Sequence, residues 1–203
     1  MSAPRIIGIT GGSGSGKSTL SRELERRGWL FLDCDAIYHD LLKTDPHLLS
    51  AIESRFPGTV TGGKLDRKKL GAIVFADEAA LLDLNAITHA AVKAEVLRRL
   101  ENCQTGAVID AIGLFEGGLA ELCDITVAVT APEELRIRRL MARDGIPESY
   151  ARSRIAAHHS DDWFRSRCDH TLVNDGKLDA TATKYVAFLH DIGIIDCNCR
   201  AES

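Results

Sequence analysis

Nine consecutive residues, Gly11-Gly12-Ser13-Gly14-Ser15-Gly16-Lys17-Ser18-Thr19, hold the clearest chemistry in the chain. They fit the spacing G-x-x-x-x-G-K-[ST], which binds phosphates when it follows a strand and opens a helix. Glycines lack a Cβ, so successive backbone N–H groups can curl inward around phosphate oxygens. The start of the following helix adds positive potential. The pattern assigns Lys17 to the β- and γ-phosphates of a nucleoside triphosphate, and the Ser18 hydroxyl to Mg²⁺. Gly12, Ser13, Gly14, Ser15, Gly16 and Thr19 complete the expected cradle. A dinucleotide-binding G-x-G-x-x-G does not fit: counted from Gly12 the sixth position is Lys17, and counted from Gly11 the third is Ser13.

Carboxylates and arginines stand where a phosphoryl group could be handled. Asp33 closes a short apolar run expected to lie beside the strand that feeds the glycine loop. Ligands of parallel sheets sit at the carboxyl ends of strands, so Asp33 is placed to orient an acceptor hydroxyl and take its proton. Asp35 opens a helical stretch and suits either a helix cap or the same site. Asp110 ends the apolar run Ala107-Val108-Ile109 and resembles the carboxylate that supports Mg²⁺ in phosphate-loop proteins. Further on, Arg136, Arg139 and Arg143 fall within one narrow face at 100° per residue, with Ile137, Leu140 and Met141 on another that can pack. Clustered arginines suit a closing lid, or a solvated face paired with Glu133 and Glu134. His158-His159 reads as a helix end rather than a metal site.

These side chains need elements to carry them, and strand-like and helical runs alternate along the chain. Strands are expected at 5–10, 29–33, 106–110, 125–130 and 171–174. Helices are expected at 17–27, 34–43, 46–56, 66–100 with a break near 76–77, 133–144, 148–159, 161–167 and up to about 190. Residues 57–64 carry Gly58, Gly62 and Gly63 and read as a loop or tight turn. Alternation of this kind predicts βαβ units and a parallel sheet with both faces covered. A length of 203 residues is enough for one α/β domain. A net charge of −4 argues against broad nucleic-acid binding. The absence of a long apolar run argues against a membrane span or a secretory leader, so the expectation is a cytoplasmic protein. Six cysteines without a C-x-x-C pair are expected as free thiols, and Cys197 with Cys199 would supply only two metal ligands.

Taken in order, the motifs resemble the dephospho-CoA kinase family from about residue 5 to 190. The matching blocks are Ile9-Thr10 with the glycine loop, Asp33-Cys34-Asp35 with His39, and Leu65-Asp66-Arg67 with Leu70 and Val74-Phe75. They continue with Leu114-Phe115-Glu116, Arg139-Leu140 with Arg143-Asp144, and Asn174 with Gly176. The sequence departs from the family at Ala90, where proline usually follows His89, and at Ile112-Gly113, where the family has Pro-Leu. It also departs at Arg136 and His158, where glutamine is common. The resemblance implies a single domain with an α/β P-loop kinase fold: a five-stranded parallel sheet flanked by helices, an acceptor-binding helical region at about 60–100 and a lid at about 136–165. It implies transfer of phosphate from ATP, with Mg²⁺, to the 3′-hydroxyl of dephospho-CoA. A monomer or weak oligomer is expected, and the charge and the lack of a long apolar run set aside nucleic-acid and membrane partners. Lys17, Asp33 and Arg143 would be catalytic, Arg139 and Asn174 would join the loop in holding ATP, and Ser18 and Asp110 would hold the metal. Asp33, Arg67, His89, Leu114, Phe115 and Glu116 would meet the acceptor. Rival readings are another small-molecule P-loop kinase, or a noncatalytic nucleotide switch. The base-reading N-K-x-D of a GTPase is missing, and Lys17, Asp33 and the arginines are all retained.

Overall fold

A computed structural model describes residues 5–176 and 178–194, so Cys197 and Cys199 lie outside the described residues. Five strands form one parallel sheet: β1 (Ile6–Thr10), β2 (Leu30–Asp33), β5 (Ala107–Asp110), β6 (Ile125–Thr130) and β7 (His170–Val173), in the spatial order β2-β5-β1-β6-β7. The chain leaves β1 toward one edge and later returns to its other side. This reversal opens a crevice at the carboxyl ends of the central strands, the usual ligand position in open α/β sheets.

The sheet is apolar on both faces because both faces are covered. Ile7, Ile9, Val108, Val127 and Val129 pack under α1 (Lys17–Arg26) and α9 (Leu178–Asp191), with Leu20, Leu24, Tyr185 and Leu189. Leu32 and Ile109 pack on the opposite face with Ile37 of α2 (Cys34–Thr44) and Val92 and Val96 of α5 (Glu78–Leu100). A satellite core joins α2, α5, α3 (Pro46–Arg55) and α4 (Arg67–Val74) around Ile52, Phe56, Leu70 and Ala80. A small cluster of Ile137, Leu140 and Ala151 ties α6 (Glu133–Asp144) to α7 (Glu148–Ala156), ahead of the short α8 (Asp161–Arg165). Met141 does not join it: it is 37% exposed, contrary to the packing expected of it.

Element starts follow local chemistry. Asp45, Asp66, Asp77 and Ser160 cap α3, α4, α5 and α8 by accepting backbone N–H groups. The break expected near 76–77 is the Asp77 cap. Residues 57–64 are more than a turn, since β3 (Val60–Thr61) and β4 (Lys64–Leu65) pair antiparallel. Gly62 and Gly63 both take positive φ between them, as a two-residue hairpin turn requires. Strands of two residues are too short to show alternation in sequence. Among the described residues no helix is long and apolar enough to cross a membrane.

One expected neighbour is corrected. β2 does not lie beside β1, because β5 inserts between them and pairs with both. Asp33 therefore sits at the end of an edge strand, one strand further from the glycine loop.

Candidate active site

The glycine loop spans the gap between β1 and α1. Gly16 is the N-cap of α1 at φ 93°, in the left-handed region open to glycine, and a Cβ there would collide with the Asn174 carboxamide. The loop is gripped from outside. Arg139 Nη1 donates to the Gly14 and Ser15 carbonyls at 3.3 Å, and Asn174 Nδ2 donates to the Ser15 carbonyl at 2.9 Å. Asn174 Oδ1 accepts from Arg139 and Thr181, both at 2.9 Å. Arg136 Nε donates to the Ser13 carbonyl at 2.9 Å, and His158 Nε2 lies 3.0 Å from Ser13 Oγ.

In front of the loop is a cleft of about 720 Å³ lined by Lys17, Ser18, Asp33, Asp35, Asp110 and Arg143 among others. Lys17 Nζ donates to the Gly11 carbonyl at 2.8 Å. Burial holds the Lys17 ammonium below its usual pKa, against the opposing pull of Asp110 and Asp35. Burial likewise raises the Asp110 carboxyl, while Lys17 and the Ser21 hydroxyl, which donates to it at 2.8 Å, favour its charge. A polyanion bound here would offset the cost of the buried lysine, since an opposite charge nearby favours the charged form.

Asp33 caps α2: its Oδ1 accepts from Ala36 N at 3.0 Å, leaving Oδ2 outside that bond. The cap is thus Asp33 rather than Asp35, which lies in the first turn and lines the cleft. Asp35 also lines a second cavity of about 240 Å³, with Tyr38, Asn85, His89, Ile112 and Gly113 among its walls. A Cβ on Gly113 would sit 3.5 Å from His89 Nε2, so the glycine leaves that wall open. Cys34, between the two aspartates, is buried, and burial with the nearby carboxylates pushes its thiol up to about 12. It stays protonated and acts as a small apolar side chain.

The residues expected from sequence divide clearly. Lys17, Ser18, Thr19, Asp33, Asp110, Arg139, Arg143 and Asn174 meet around the cleft with Gly14 and Gly16. Gly12, Ser13 and Ser15 are buried in the loop wall. His89 lines the second cavity. Arg67 is exposed at the start of α4, with Nη2 3.4 Å from His39 Nδ1, and lines neither cavity. Leu114 is corrected: it is fully buried against Leu32 and Ile109, so its side chain has no surface to offer an acceptor. Phe115 instead meets Trp163 edge-on at 5.8 Å, and Glu116 Oε1 is 2.8 Å from His159 Nε2. Arg136, on the same helix face as Arg139 and Arg143, is only 5% exposed and is held to Ser13 and to Asp161 at 3.2 Å. Sequence reasoning passed over Ser21, Tyr38 and Asn85. Asn85 and His89 are four apart on α5, a same-face spacing that could have joined them.

Known proteins resemble this chain in sequence and fold. The sequence profile of the dephospho-CoA kinase family matches residues 5–180. The dephospho-CoA kinase of Deinococcus radiodurans is 40% identical over 196 residues, covering 94% of each chain. A Thermus thermophilus crystal structure superposes with a TM-score of 0.78 at 34% identity, covering 94% of this chain and 99% of that one. The dephospho-CoA kinase of Campylobacter jejuni shares the fold, with a TM-score of 0.63 at 24% identity over 92% of this chain and 96% of that one. Phosphate loop, carboxylate cluster, sheet order and sequence thus agree, and the chain belongs to the dephospho-CoA kinase family.

Proposed function

We propose that the cleft binds ATP with Mg²⁺ and that its γ-phosphoryl group passes to the 3′-hydroxyl of dephospho-CoA, giving CoA and ADP, the family's role as the final step of coenzyme A biosynthesis. The observation that carries this reading is the sharing of Asp35 between the phosphate cleft and the second cavity. An acceptor in that cavity would present a hydroxyl to the carboxylates beside the glycine loop. The helical region at about 60–100 forms the acceptor side, its α5 lining the second cavity opposite α2, and α6 with α7 and α8 forms the covering side.

The donors suit Mg²⁺: the Ser18 hydroxyl and the Asp110 carboxylate are hard oxygen ligands. Mg²⁺ usually keeps waters and binds through one or two side chains plus phosphate oxygens. Among the described residues no three His, Cys, Asp or Glu side chains gather as a metal site. When bound, the cation neutralises phosphate charge.

Lys17 acts on the β/γ-phosphate charge that develops as the bond breaks. Arg139 and Asn174 hold the loop that cradles the phosphates. Arg143, 62% exposed and paired with Asp144 at 2.7 and 3.0 Å, can turn toward the transferring group. Asp33 orients the acceptor hydroxyl and takes its proton late, since a loose transition state needs no full deprotonation before attack. His89, with Tyr38 and Asn85, contacts the acceptor in the second cavity. The test is kcat/KM for ADP release with ATP and Mg²⁺ across dephospho-CoA, adenosine, AMP, uridine and shikimate. Dephospho-CoA should win by a wide margin, because its remote arm supplies binding energy that positions the hydroxyl. A nucleoside or monophosphate that performs better overturns the acceptor assignment.

A further inference from the structure

Helix α7 ends at Ala156 and α8 begins at Asp161, and the four residues between include His158-His159. The two rings are held by different parts of the molecule. His158 Nε2 is 3.0 Å from the hydroxyl of Ser13, inside the glycine loop. His159 Nε2 is 2.8 Å from Glu116 Oε1, in the loop that follows β5 and borders the second cavity.

Both contacts are braced. Ser13 is held a second time through its carbonyl by Arg136, whose Nη1 reaches Asp161 at the start of α8. The guanidinium is thereby held between the glycine loop and the first residue of α8, which directly follows the link that carries the histidines. His159 stacks on Trp163 with ring centroids 3.8 Å apart and planes at 9°, while Phe115, beside Glu116, meets the same indole edge-on. The link between α7 and α8 is therefore fastened to the phosphate loop at one residue and to the acceptor-side loop at the next.

We propose that His158 and His159 are a pair of positioning residues that hold the two substrate sites at a fixed spacing, His158 through Ser13 on the ATP side and His159 through Glu116 on the acceptor side. This rests on the donor and acceptor assignment above. The physical need is specific. A loop with glycines at 11, 12, 14 and 16 has little stiffness of its own, and its amides help catalysis only if they already point at the phosphates. The distance between loop and acceptor hydroxyl must also be held to a fraction of an ångström for in-line attack. Adjacent residues on one short link meet both needs, each tying its own loop to the same short segment.

The test is steady-state kinetics on four purified variants with ATP, Mg²⁺ and dephospho-CoA. His158→Leu should raise KM for ATP by about fivefold, the scale of one lost hydrogen bond, with KM for dephospho-CoA changed less than about twofold. His158→Gln can still hydrogen-bond Ser13 and should restore most of the ATP effect. His159→Phe keeps the stack on Trp163 but loses Glu116, so it should raise KM for dephospho-CoA by about fivefold and spare ATP. Glu116→Gln should reproduce the His159→Phe pattern from the other partner. The pair is overturned if either histidine variant leaves both KM values unchanged, if both raise the same KM, or if His158→Gln is as impaired as His158→Leu. If the wild-type protein does not turn over dephospho-CoA, the acceptor assignment itself fails. Wild-type turnover with no split between the variants overturns the pair alone.

Discussion

Asp33 and Asp110 are register partners at the carboxyl ends of neighbouring parallel strands, β2 and β5. Their surroundings differ enough to separate their work. Asp110 faces Lys17, accepts from Ser21 and is raised by burial. Asp33 spends one oxygen on the α2 cap and stands at the end of the edge strand. Two carboxylates with distinct environments can serve one metal ion and one hydroxyl without exchanging roles.

Lys17→Ala should lower kcat by about 10²-fold or more, the scale for one preorganised electrostatic donor. The protein should stay folded, as its circular-dichroism spectrum would show, so that the loss of turnover reports the phosphate site. Near-wild-type turnover would remove Lys17 from the phosphate site.

Arg143→Ala should lower kcat more than it raises the dissociation constant for ATP. In the structure the side chain is spent on Asp144, which also accepts from Arg154 at 2.7 Å. Its contact with the transferring group would form mainly in the closed transition-state complex. Normal kcat with weakened ATP binding would make Arg143 a ground-state ligand instead.

The sequence carried the sheet, the glycine loop and most of the cleft because each rests on local signals. Apolar runs gave the strands, and glycine spacing gave the loop. The β2-β5-β1 order was not legible, since no residue in β2 marks which strand it will pair with. Leu114 misled because its block looked like a binding motif, while its burial depends on Gly8, where a Cβ would come within 2.9 Å of Leu114 Cδ2. Arg136 read as one arginine of a lid or solvated face, His158 as a helix end, and both as departures from a family pattern. In space the two departures meet at one residue, Ser13, and that convergence of distant segments has no signature in a single sequence.

Acidification should weaken the fold through His158. Burial lowers its pKa first, then Lys17, Arg136 and Arg154, with Asp35 opposing. The unfolded chain would take up that proton near pH 6.5 and the folded chain only at lower pH. Stability from this group is therefore intact above about pH 6.5 and is lost progressively as pH falls below it, down to the folded pKa. Tm of the wild type should drop between pH 7.5 and 5.5 by more than that of His158→Gln. Parallel losses in the two proteins would show that His158 is not a source of the pH dependence.

The most direct measurement is kcat of Asp33→Asn and Asp110→Asn at saturating ATP, dephospho-CoA and Mg²⁺. Asparagine caps helices as well as aspartate, so Asp33→Asn keeps the α2 cap and removes only the charge and the proton acceptor. Its kcat should fall by roughly 10²- to 10⁴-fold, the range for a lost general base, with little change in ATP binding. Asp110→Asn should instead need more Mg²⁺ to reach half its maximal rate, and recover as Mg²⁺ is raised. Full kcat in Asp33→Asn, together with a loss in Asp110→Asn that saturating Mg²⁺ does not repair, would contradict the account and exchange the two roles.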